Sequence, residues 1–585
     1  MIREDRAGKE RMDIYSIHQA LLVKLADEHL LLRTTSRFDS CRTNTDRVKL
    51  IEKFLMKFKI IPRLVPRRAK NNIQSRELRK KGNALFKKEN LYEALELYNQ
   101  SLCWAETGDE AEDLANAYAN RAAVFCKWNM FKIALENVVL AKKYGYPEKN
   151  MDKLLDRERC CLQSINNGND VRSTHNHFNL KLDYEENPQI PFIAKCLEMK
   201  ESNDQGRYIT TNTILNPGDI IAIEEPYAVC LQPPSRYQRC NYCLIENDLH
   251  LIPCPSCTNA MFCSKKCMKK ANAEYHNIEC AISDIMLDVF HKMQVIGLRV
   301  SLKAMNTFQS TDDMIAFCTE ANDANFTTFS FNHANELTPL EQCQQIYCLA
   351  TNEEKRKPHD LFLRAVVTTV LWKQLMEHTT LADALPDTKS QSTFIEILFR
   401  HMQIASTNFH TLDVAELPLS ASVDYGSGAY PFCSLLNHSC APNICRMSVG
   451  RKMILFALRV IHPGEQLFDN YGYHHCLAEK ADRQNSLADQ YLFSCNCIAC
   501  EFDYPMLPEL PVSPEIPHHD TTEDVERLTN LDETFATENI KRYAQYLKKY
   551  DSHYPCNQVC EMQEIFKMCF HILVGNYSLQ VKCGK

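Results

Sequence analysis

Cysteines and one histidine recur in close pairs between residues 240 and 280, and this spacing restricts the possible fold more than any other feature of the sequence. Seven thiols and one imidazole make eight ligands, enough to close two tetrahedral zinc sites without an open coordination position. Scattered structural thiols are the alternative, but four such pairs in succession are rarely produced by chance. Because closed sites stabilise a fold and present a surface, we expect this module to bind a partner and not to catalyse. The pairs are Cys240 with Cys243, Cys254 with Cys257, Cys263 with Cys267, and His276 with Cys280.

The bulk composition predicts several domains in a soluble intracellular protein. A chain of 585 residues that is 45% hydrophobic and 24% charged is too long for one core. Its net charge of -7 argues against general affinity for nucleic acid. The N-terminus is charged where a secretory signal would be apolar, and no apolar run reaches the ~18 residues of a membrane span. In a reducing compartment the 28 cysteines indicate metal ligands rather than disulfides.

Two stretches near the front, residues 76–104 and 116–147, place small and aromatic residues in a matching order. Gly82 and Ala122 occupy equivalent places, and the acidic stretch 106–112 can hold the extra residues between them as a loop. Such a period of helix, turn and helix predicts a tetratricopeptide array. An ordinary helical hairpin is the alternative. Residues 12–60 carry apolar stripes and predict further helices.

Two other stretches alternate apolar and polar residues around a Pro-Gly turn. The stretch 206–229 turns at Pro217-Gly218, and the stretch 453–473 turns at Pro463-Gly464 before an aromatic cluster. Each predicts a pair of strands. Between them lie the cysteine-rich module, a stretch with helical character at 281–405, and the sequence "NHSC".

Together these features resemble a SET domain split by a MYND zinc finger, the arrangement of the SET- and MYND-domain protein-lysine methyltransferases. The resemblance covers residues of about 190 to 505, and the motif order is most similar to the family member with N-terminal tetratricopeptide repeats. It implies an α+β multidomain fold, with α-helical TPR-like repeats, a β-rich SET domain, a post-SET zinc site and a short helical C-terminal region. It also implies a cross-braced finger, with one zinc ion on Cys240, Cys243, Cys263 and Cys267 and the other on Cys254, Cys257, His276 and Cys280.

The domain boundaries that we predict follow this motif order. They are a helical N-terminal region at 1–70, TPR-like repeats at 71–165, the first part of the SET domain at 190–239, the MYND finger at 240–280, a helical insertion at 281–405, the second part of the SET domain at 406–475, a post-SET segment at 476–505, and a linker with a helical C-terminal region at 506–585.

A third zinc site is implied by the resemblance. In this family three ligands come from a Cys-x-Cys-x2-Cys element and a fourth from the cysteine that ends the Asn-His-Ser-Cys motif. Here these residues are Cys495, Cys497, Cys500 and Cys440. A buried Cys440 and three unliganded downstream thiols are the alternative, but three cysteines alone leave tetrahedral zinc one ligand short.

The resemblance implies transfer of a methyl group from S-adenosyl-L-methionine to lysine. Tyr471 in "DNYG" matches the catalytic tyrosine, Tyr491 in "DQYLF" matches a wall of the lysine channel, and Phe493 matches a residue near adenine. Taken singly, a tyrosine in an aromatic cluster is usually a core residue; the motif order beside zinc ligands favours the functional interpretation. The other residues that the resemblance places at the cofactor are Gly206, Arg207, Tyr208, Asn408, Ser434, Leu436, Asn437 and His438.

One departure from the family concerns the first strand. The family carries Gly-x-Gly there, which lets the backbone approach the cofactor, whereas this chain has Gly206-Arg207-Tyr208. Tyr208 therefore indicates either a rearranged loop or a reduced affinity for the cofactor. Further cofactor contacts are expected in the insertion 281–405, with "NFTTFSFNHANEL" as the favoured stretch.

A catalytically weak or inactive scaffold that recruits partner proteins, such as deacetylase or chromatin complexes, is the alternative function. The enzyme interpretation predicts a protein substrate, histone or non-histone, and protein partners at the MYND and TPR-like surfaces, with a histone deacetylase as one candidate. It also predicts no membrane association and a nuclear and cytoplasmic location. Direct DNA binding is not expected, because the finger carries only five basic residues. They are Arg239, Lys265, Lys266, Lys269 and Lys270.

Overall fold

The computed structural model describes residues 13–61, 69–108, 111–171, 180–323, 337–416 and 421–577. Helices occupy both ends of the described part of the chain, and the strands found there lie between residues 197 and 469. The predicted α+β class is confirmed. Across the described residues, no helix combines the length and apolar character needed to cross a bilayer.

Three helices form the N-terminal region, and they pack on the distant helical insertion. They are α1 (Ile14–Asp27), α2 (Leu31–Asp39) and α3 (Asn44–Lys57). The hydroxyl of Thr43 caps α3 by accepting the N–H of Asp46. From the same helix, Thr45 donates its N–H and hydroxyl to Glu396 at 2.6 and 2.8 Å. The first helices thus support the insertion rather than extending the repeats.

Two helical hairpins and a fifth helix follow. They comprise α4 (Asn72–Lys87), α5 (Leu91–Trp104), α6 (Glu112–Lys127), α7 (Phe131–Lys143) and α8 (Met151–Asn166). Gly82 lets α4 approach α5 closely, because a Cβ there would lie 2.6 Å from the ring of Tyr98. Ala122 and Ala134 are fully buried in the second hairpin. The hairpins agree with the predicted helix period; their assignment to the tetratricopeptide class stays a prediction.

The hairpins dock on the cysteine-rich module, a relation that the sequence did not indicate. Asn99 donates to the carbonyls of Tyr237 and Leu249, both at 2.9 Å. The fully buried Arg121 donates to the carbonyl of Leu251 at 2.6 Å. Since buried side chains satisfy the backbone of the module, the two units share one interior.

Twelve strands are present among the described residues, several of them only two residues long. They are β1 (Leu197–Ser202), β2 (Gly206–Thr211), β3 (Ile220–Glu224), β4 (Ala228–Leu231), β5 (Ile252–Pro253), β6 (Met261–Phe262), β7 (His410–Glu416), β8 (Ala421–Ala429), β9 (Asn437–His438), β10 (Ile444–Val449), β11 (Lys452–Ala457) and β12 (Phe468–Asp469). They form five small sheets, ordered β1-β2, β10-β11-β3, β12-β9, β4-β8-β7 and β5-β6. All pairs are antiparallel except β12 with β9.

The four predicted strands are present, but they do not pair with each other as predicted. β2 pairs with the unpredicted β1, and β3 pairs with β11, which is more than 200 residues away. The eight residues between β2 and β3 exceed the two to five of a tight hairpin, so the Pro217-Gly218 turn leads from one sheet into another. β11 and β12 are likewise in different sheets.

The insertion between the two halves of the β-structure is helical, as predicted. The helices of the module and insertion are α9 (Lys265–Ala271), α10 (Asn277–Glu279), α11 (Ser283–Val289), α12 (Lys292–Met305), α13 (Thr311–Asp323), α14 (Pro339–Tyr347), α15 (Pro358–His378), α16 (Leu381–Ala384) and α17 (Thr388–Asn408). Most of "NFTTFSFNHANEL", the stretch favoured for cofactor contacts, lies outside the described residues.

Five α-helices follow in the rest of the described chain, and the last of them packs on the β10-β11-β3 sheet. They are α18 (Lys480–Tyr491), α19 (Ile498–Glu501), α20 (Thr522–Thr529), α21 (Glu533–Lys549) and α22 (Asn557–Val574). Phe570 of α22 stacks on Phe456 of β11, with centroids 4.1 Å apart and planes 6° from parallel. Burial of this aromatic pair fixes the C-terminal helices on the β10-β11-β3 sheet.

Candidate active site and metal centres

The eight predicted ligands of the cysteine-rich module come together in two groups. Cluster A consists of Cys240, Cys243, Cys263 and Cys267, and cluster B of Cys254, Cys257, His276 and Cys280. Within each cluster the ligand atoms lie within 4.8 Å of one another. The interleaved grouping is the one that the resemblance implied.

A third group, cluster C, joins the "NHSC" cysteine to the three downstream cysteines. It consists of Cys440, Cys495, Cys497 and Cys500. The sulfurs of Cys440 and Cys500 lie 3.6 Å apart, and the backbone N–H of Cys440 donates to the sulfur of Cys497 at 3.3 Å. A segment 57 residues away in sequence is thereby held against "NHSC".

The spacing of the sulfurs fits zinc. A tetrahedral site with Zn–S bonds of about 2.3 Å places its sulfurs about 3.8 Å apart. The separations are 3.5 Å between Cys243 and Cys263 and 3.9 Å between Cys254 and Cys280. These values and the 3.6 Å pair of cluster C lie close to that edge length. All three clusters therefore suit a tetrahedral thiolate metal.

Cluster B also has the supporting contacts that a zinc-binding histidine needs. Nε2 of His276 faces the sulfur of Cys254 at 3.4 Å, while Nδ1 lies 3.3 Å from Glu279. The buried Arg299 holds Glu279 with bonds of 2.7 and 2.9 Å. Burial works to raise the pKa of Glu279, but Arg299 and His276 lower it to about 2. The ionised carboxylate fixes the tautomer that leaves Nε2 free for metal.

A further group of potential ligands, His474, His475 and Cys476, was not predicted and does not suit a metal. Nδ1 of His475 lies 3.0 Å from the carbonyl of Pro505, so it carries the proton, and Nε2 accepts from the hydroxyl of Tyr554 at 2.8 Å. Nδ1 of His474 accepts the N–H of Cys476. The sulfur of Cys476 lies 3.6 Å from Nε2 of His475, so each of the three side chains already has a polar partner.

The aromatic residues predicted for the active site form one cluster beside cluster C. The rings of Tyr471 and Tyr491 lie 4.7 Å apart, and the ring of His438 lies 5.1 Å from Tyr471 and 6.2 Å from Phe493. The hydroxyl of Tyr471 donates to the carbonyl of Leu436 at 2.6 Å. Burial raises the pKa of Tyr471 well above its ordinary value and that of Tyr491 to about 12. Both phenols are therefore neutral at physiological pH.

The predicted glycine turn lies against the same region. The amide of Asn437 donates to the carbonyl of Gln205 at 3.2 Å, next to Gly206. Gly206 has φ +64°, and a Cβ there would meet no heavy atom within 4 Å. The backbone of this turn, which we call the cradle, is therefore open to close approach by a cofactor such as S-adenosylmethionine.

Arg207 and Tyr208 extend from this turn along β2. Arg207 reaches the carbonyl of Cys348 at 3.5 Å, and burial lowers its pKa. Tyr208 pairs with Lys200 of β1 and is half-buried. By strand alternation its ring lies on the face opposite Arg207, so the two side chains act on different sides of the turn.

Asn408 and Ser434 meet at the end of α17. Ser434 donates to the carbonyl of Asn408 at 2.8 Å, and the amide of Asn408 donates to the carbonyl of Ala350 at 2.9 Å. Residues 348–350 of the insertion thus approach the site through both Arg207 and Asn408. Sequence reasoning did not name this segment, since neither contact has a local sequence signal.

Glu224 is a second residue that sequence reasoning missed. Its carboxylate is 1% exposed and accepts the N–H groups of Phe432 and Cys433 at 2.8 and 2.9 Å. It therefore anchors the turn that leads to Ser434 and Leu436. Burial raises its pKa to about 7. The available signal was a carboxylate directly after the apolar run "IIAI" of β3.

Arg239 was wrongly counted among the basic residues on the surface of the finger. Its guanidinium is buried, pairs with Glu246 at 3.2 Å and lies 4.1 Å from the ring of Tyr425. The finger thus presents one basic residue fewer than counted, which weakens the case for DNA binding further.

Comparison with known families decides the class of this fold. Residues 206–472 match the SET domain. This chain carries a SET domain. The match begins at the glycine turn and ends one residue after Tyr471, so it includes Gly206, His438 and Tyr471, while Tyr491 and Phe493 lie beyond its end.

Curated relatives support the same conclusion. "Protein-lysine N-methyltransferase SMYD4" of Mus musculus is 23% identical over 533 residues, covering 72% of this chain and 66% of the relative. The Danio rerio protein of that name is 22% identical over 499 residues, covering 73% and 65%. "Histone-lysine N-methyltransferase SMYD3" of Homo sapiens is 28% identical over 303 residues, covering 51% and 59%.

The predicted resemblance to the SET- and MYND-domain methyltransferases is confirmed. The chain spans slightly less than two thirds of the length of the SMYD4 relatives, at 66% and 65%.

Proposed function

We propose that this chain is a protein-lysine N-methyltransferase that uses S-adenosyl-L-methionine and acts on a lysine of a protein substrate, histone or non-histone. One observation carries the proposal: the Tyr471 hydroxyl is held on the carbonyl of Leu436 at 2.6 Å, inside an aromatic cluster that adjoins the Asn437–Gly206 cradle. The names of the SET-domain relatives support the same reaction.

Several described residues would hold the cofactor. Bound S-adenosylmethionine supplies a methyl group on a sulfonium cation. The turn at Gly206 leaves room for it, Arg207 and Asn437 flank that turn, and Phe493 offers an aromatic face. Both ring nitrogens of His438 already have partners, so this residue can offer a cofactor its backbone only.

The aromatic cluster would prepare the lysine. Tyr471 and Tyr491 exclude water from the channel, and an apolar channel disfavours the charged ammonium, so the amine is held in its neutral, nucleophilic form. The bond to Leu436 fixes the phenolic oxygen of Tyr471. Orientation of the reacting atoms at about 3 Å is the main contribution expected of such a site.

We also propose that the intact chain binds three zinc ions, one in each of clusters A, B and C. The sulfur spacings and the Glu279–His276 contact support this assignment. In clusters A and B the ions would stabilise the finger, and in cluster C the ion would hold the post-SET segment against "NHSC".

We also propose that the finger and the helical hairpins bind protein partners. Asn99 and Arg121 are engaged by the finger, so a protein partner, a deacetylase complex included, must use another face of the hairpins. The solvent-facing helix α9, with its lysines, is available on the finger.

Calorimetry with the full chain tests the function. We expect S-adenosylmethionine to bind to the wild-type protein and Asn437→Ala to weaken that binding, because the amide that ties the glycine turn to "NHSC" is lost. Asn306→Ala is the matched control, since that amide bonds the carbonyl of Glu274 far from the cradle. Radiolabelled methyl transfer to core histones and to a panel of other proteins then identifies the substrate class. Absence of cofactor binding to the zinc-loaded wild type would favour the scaffold.

A further inference from the structure

A fully buried arginine lies beside the sulfurs of cluster C. Arg483, in α18, is 0% exposed. One of its terminal nitrogens donates to the carbonyl of Ala478 at 2.5 Å, and the other approaches the sulfur of Cys500 at 3.9 Å. Its Nε has no hydrogen-bond partner among the described residues. No carboxylate in that part of the chain pairs with it, so the usual reason for burying an arginine is missing.

The negative charge of a zinc-loaded cluster C would explain why this arginine is buried. Four thiolates around one Zn²⁺ leave a formal charge of minus two, and charge of that size is costly to bury unless a counter-charge accompanies it. Three of the four cysteines of cluster C are buried.

The cost of burying negative charge is lower at the other two clusters. Cluster A has three half-buried cysteines, so water can screen its charge. Cluster B has one thiolate fewer. Near cluster C, Nδ1 of His438 accepts the backbone N–H of Tyr471, so the imidazole is neutral and donates to Cys440 through Nε2–H. Arg483 is the one cationic side chain in contact with these sulfurs among the described residues.

We propose that Arg483 is the counter-charge of the cluster C zinc site and slows the release of its metal. The proposal rests on the zinc assignment made above and not on the methyl-transfer reaction. Arg483 is therefore a positioning residue, because its guanidinium contacts the metal ligand Cys500 and not the substrate.

The same contact links the metal to the lysine channel. Arg483 lies one turn into α18, and this helix ends at Tyr491. Phe493 follows a residue in the left-handed conformation, Leu492 with φ 64°. A guanidinium held between Ala478 and Cys500 therefore fixes the helix that presents both aromatic residues.

The test measures zinc release from the full chain. Arg483→Met replaces the guanidinium side chain with an unbranched apolar one and so removes the charge. Arg483→Lys keeps the charge. Arg527→Met is the matched control, since Arg527 is a partly exposed arginine paired with Asp532 on another helix. Each protein is loaded with zinc, its content is determined by elemental analysis, and metal loss to excess chelator is followed with time.

We expect Arg483→Met to release one zinc equivalent about 10-fold faster or more, the size usual for loss of a supporting contact. The other equivalents should leave at the wild-type rate, and Arg483→Lys and Arg527→Met should resemble wild type. Equal release from wild type and Arg483→Met would overturn the proposal, because a merely packed arginine predicts that result.

Two further measurements cover the other outcomes. If Arg483→Met does not fold, Arg483→Gln, which keeps hydrogen-bond donors without charge, is compared with Arg483→Lys, and equal release from these two overturns the proposal. Cys440→Ser tests the zinc assignment separately. If its zinc content equals that of wild type, both the assignment and the counter-charge fail, whatever the methyltransferase activity.

Discussion

Nε2 of His438 lies 3.3 Å from the sulfur of Cys440. On the other side of the ring, Nδ1 accepts the backbone N–H of Tyr471 at 3.0 Å. Since that N–H can only donate, Nδ1 carries no proton, and Nε2–H must donate to the sulfur. One neutral imidazole thus connects a predicted metal ligand to the backbone of the predicted catalytic tyrosine. We therefore expect metal binding at Cys440 to affect the position of Tyr471.

Tyr471→Phe should separate binding from catalysis. The change removes the hydroxyl that bonds Leu436 and leaves the ring contacts of the channel in place. We expect cofactor affinity to be nearly unchanged and methyl transfer to fall roughly 100-fold or more, as for loss of one preorganised polar contact. Calorimetry and methylation rates on a validated substrate measure the two effects. Tyr473→Phe, which loses a bond to the exposed Gln490, should be nearly silent. Full activity of Tyr471→Phe would exclude a catalytic hydroxyl.

Cys440→Ser should both remove one zinc ion and lower methyl transfer by disturbing the lysine channel. The variant loses a thiolate of cluster C and the acceptor of His438. We expect the zinc content to fall by one ion per chain, with lower methyl transfer, while clusters A and B stay filled. Elemental analysis and activity are measured on the same sample, with Cys445→Ser, outside all clusters, as control. Loss of zinc with full activity would refute the coupling through His438.

Glu224 should give the stability a pH dependence of a definite sign. Its folded pKa of about 7 lies above the ordinary value of about 4.3, so the folded chain holds a proton that the unfolded chain releases. The stability from this group is present at low pH and is lost as the pH rises to about 7. Relative to Glu224→Gln, the unfolding free energy of wild type should fall by up to about 1.4 kcal/mol per pH unit in that window.

Urea unfolding of both proteins between about pH 5 and pH 8 measures the difference, in which other titrating groups cancel. Glu225→Gln is the control, because Glu225 is partly exposed and pairs with Arg451. A constant difference between wild type and Glu224→Gln across this range would show that Glu224 does not titrate there.

Tyr208→Gly should strengthen cofactor binding if the ring crowds the cradle, because the backbone could then approach more closely. Lys200→Gly, at the paired position of β1, controls for the cost of a glycine in this sheet. Calorimetry compares the two variants with wild type. A weaker affinity in Tyr208→Gly alone would make the ring a binding group and not an obstacle.

The sequence by itself determined the cysteine and histidine groups of the finger, the helical hairpins and the four strands beside the two Pro-Gly turns. Each of these features depends on residues a few positions apart. Cys240 and Cys243 meet because a short turn joins them, and Gly82 packs against Tyr98 within one hairpin. Local spacing carries such information, and motif order was sufficient to indicate the SET arrangement and the composition of cluster C.

Tertiary structure alone decided which strands pair, where the hairpins dock and which polar groups support the site. Glu224 reaches Phe432 across 208 residues, and Asn99 reaches Tyr237 across 138. Arg483 is placed beside Cys500 by the packing of α18. In each case a buried polar group must find a partner, and which partner it finds depends on the arrangement of distant segments. No local pattern specifies that arrangement, so these contacts are visible only in the folded chain.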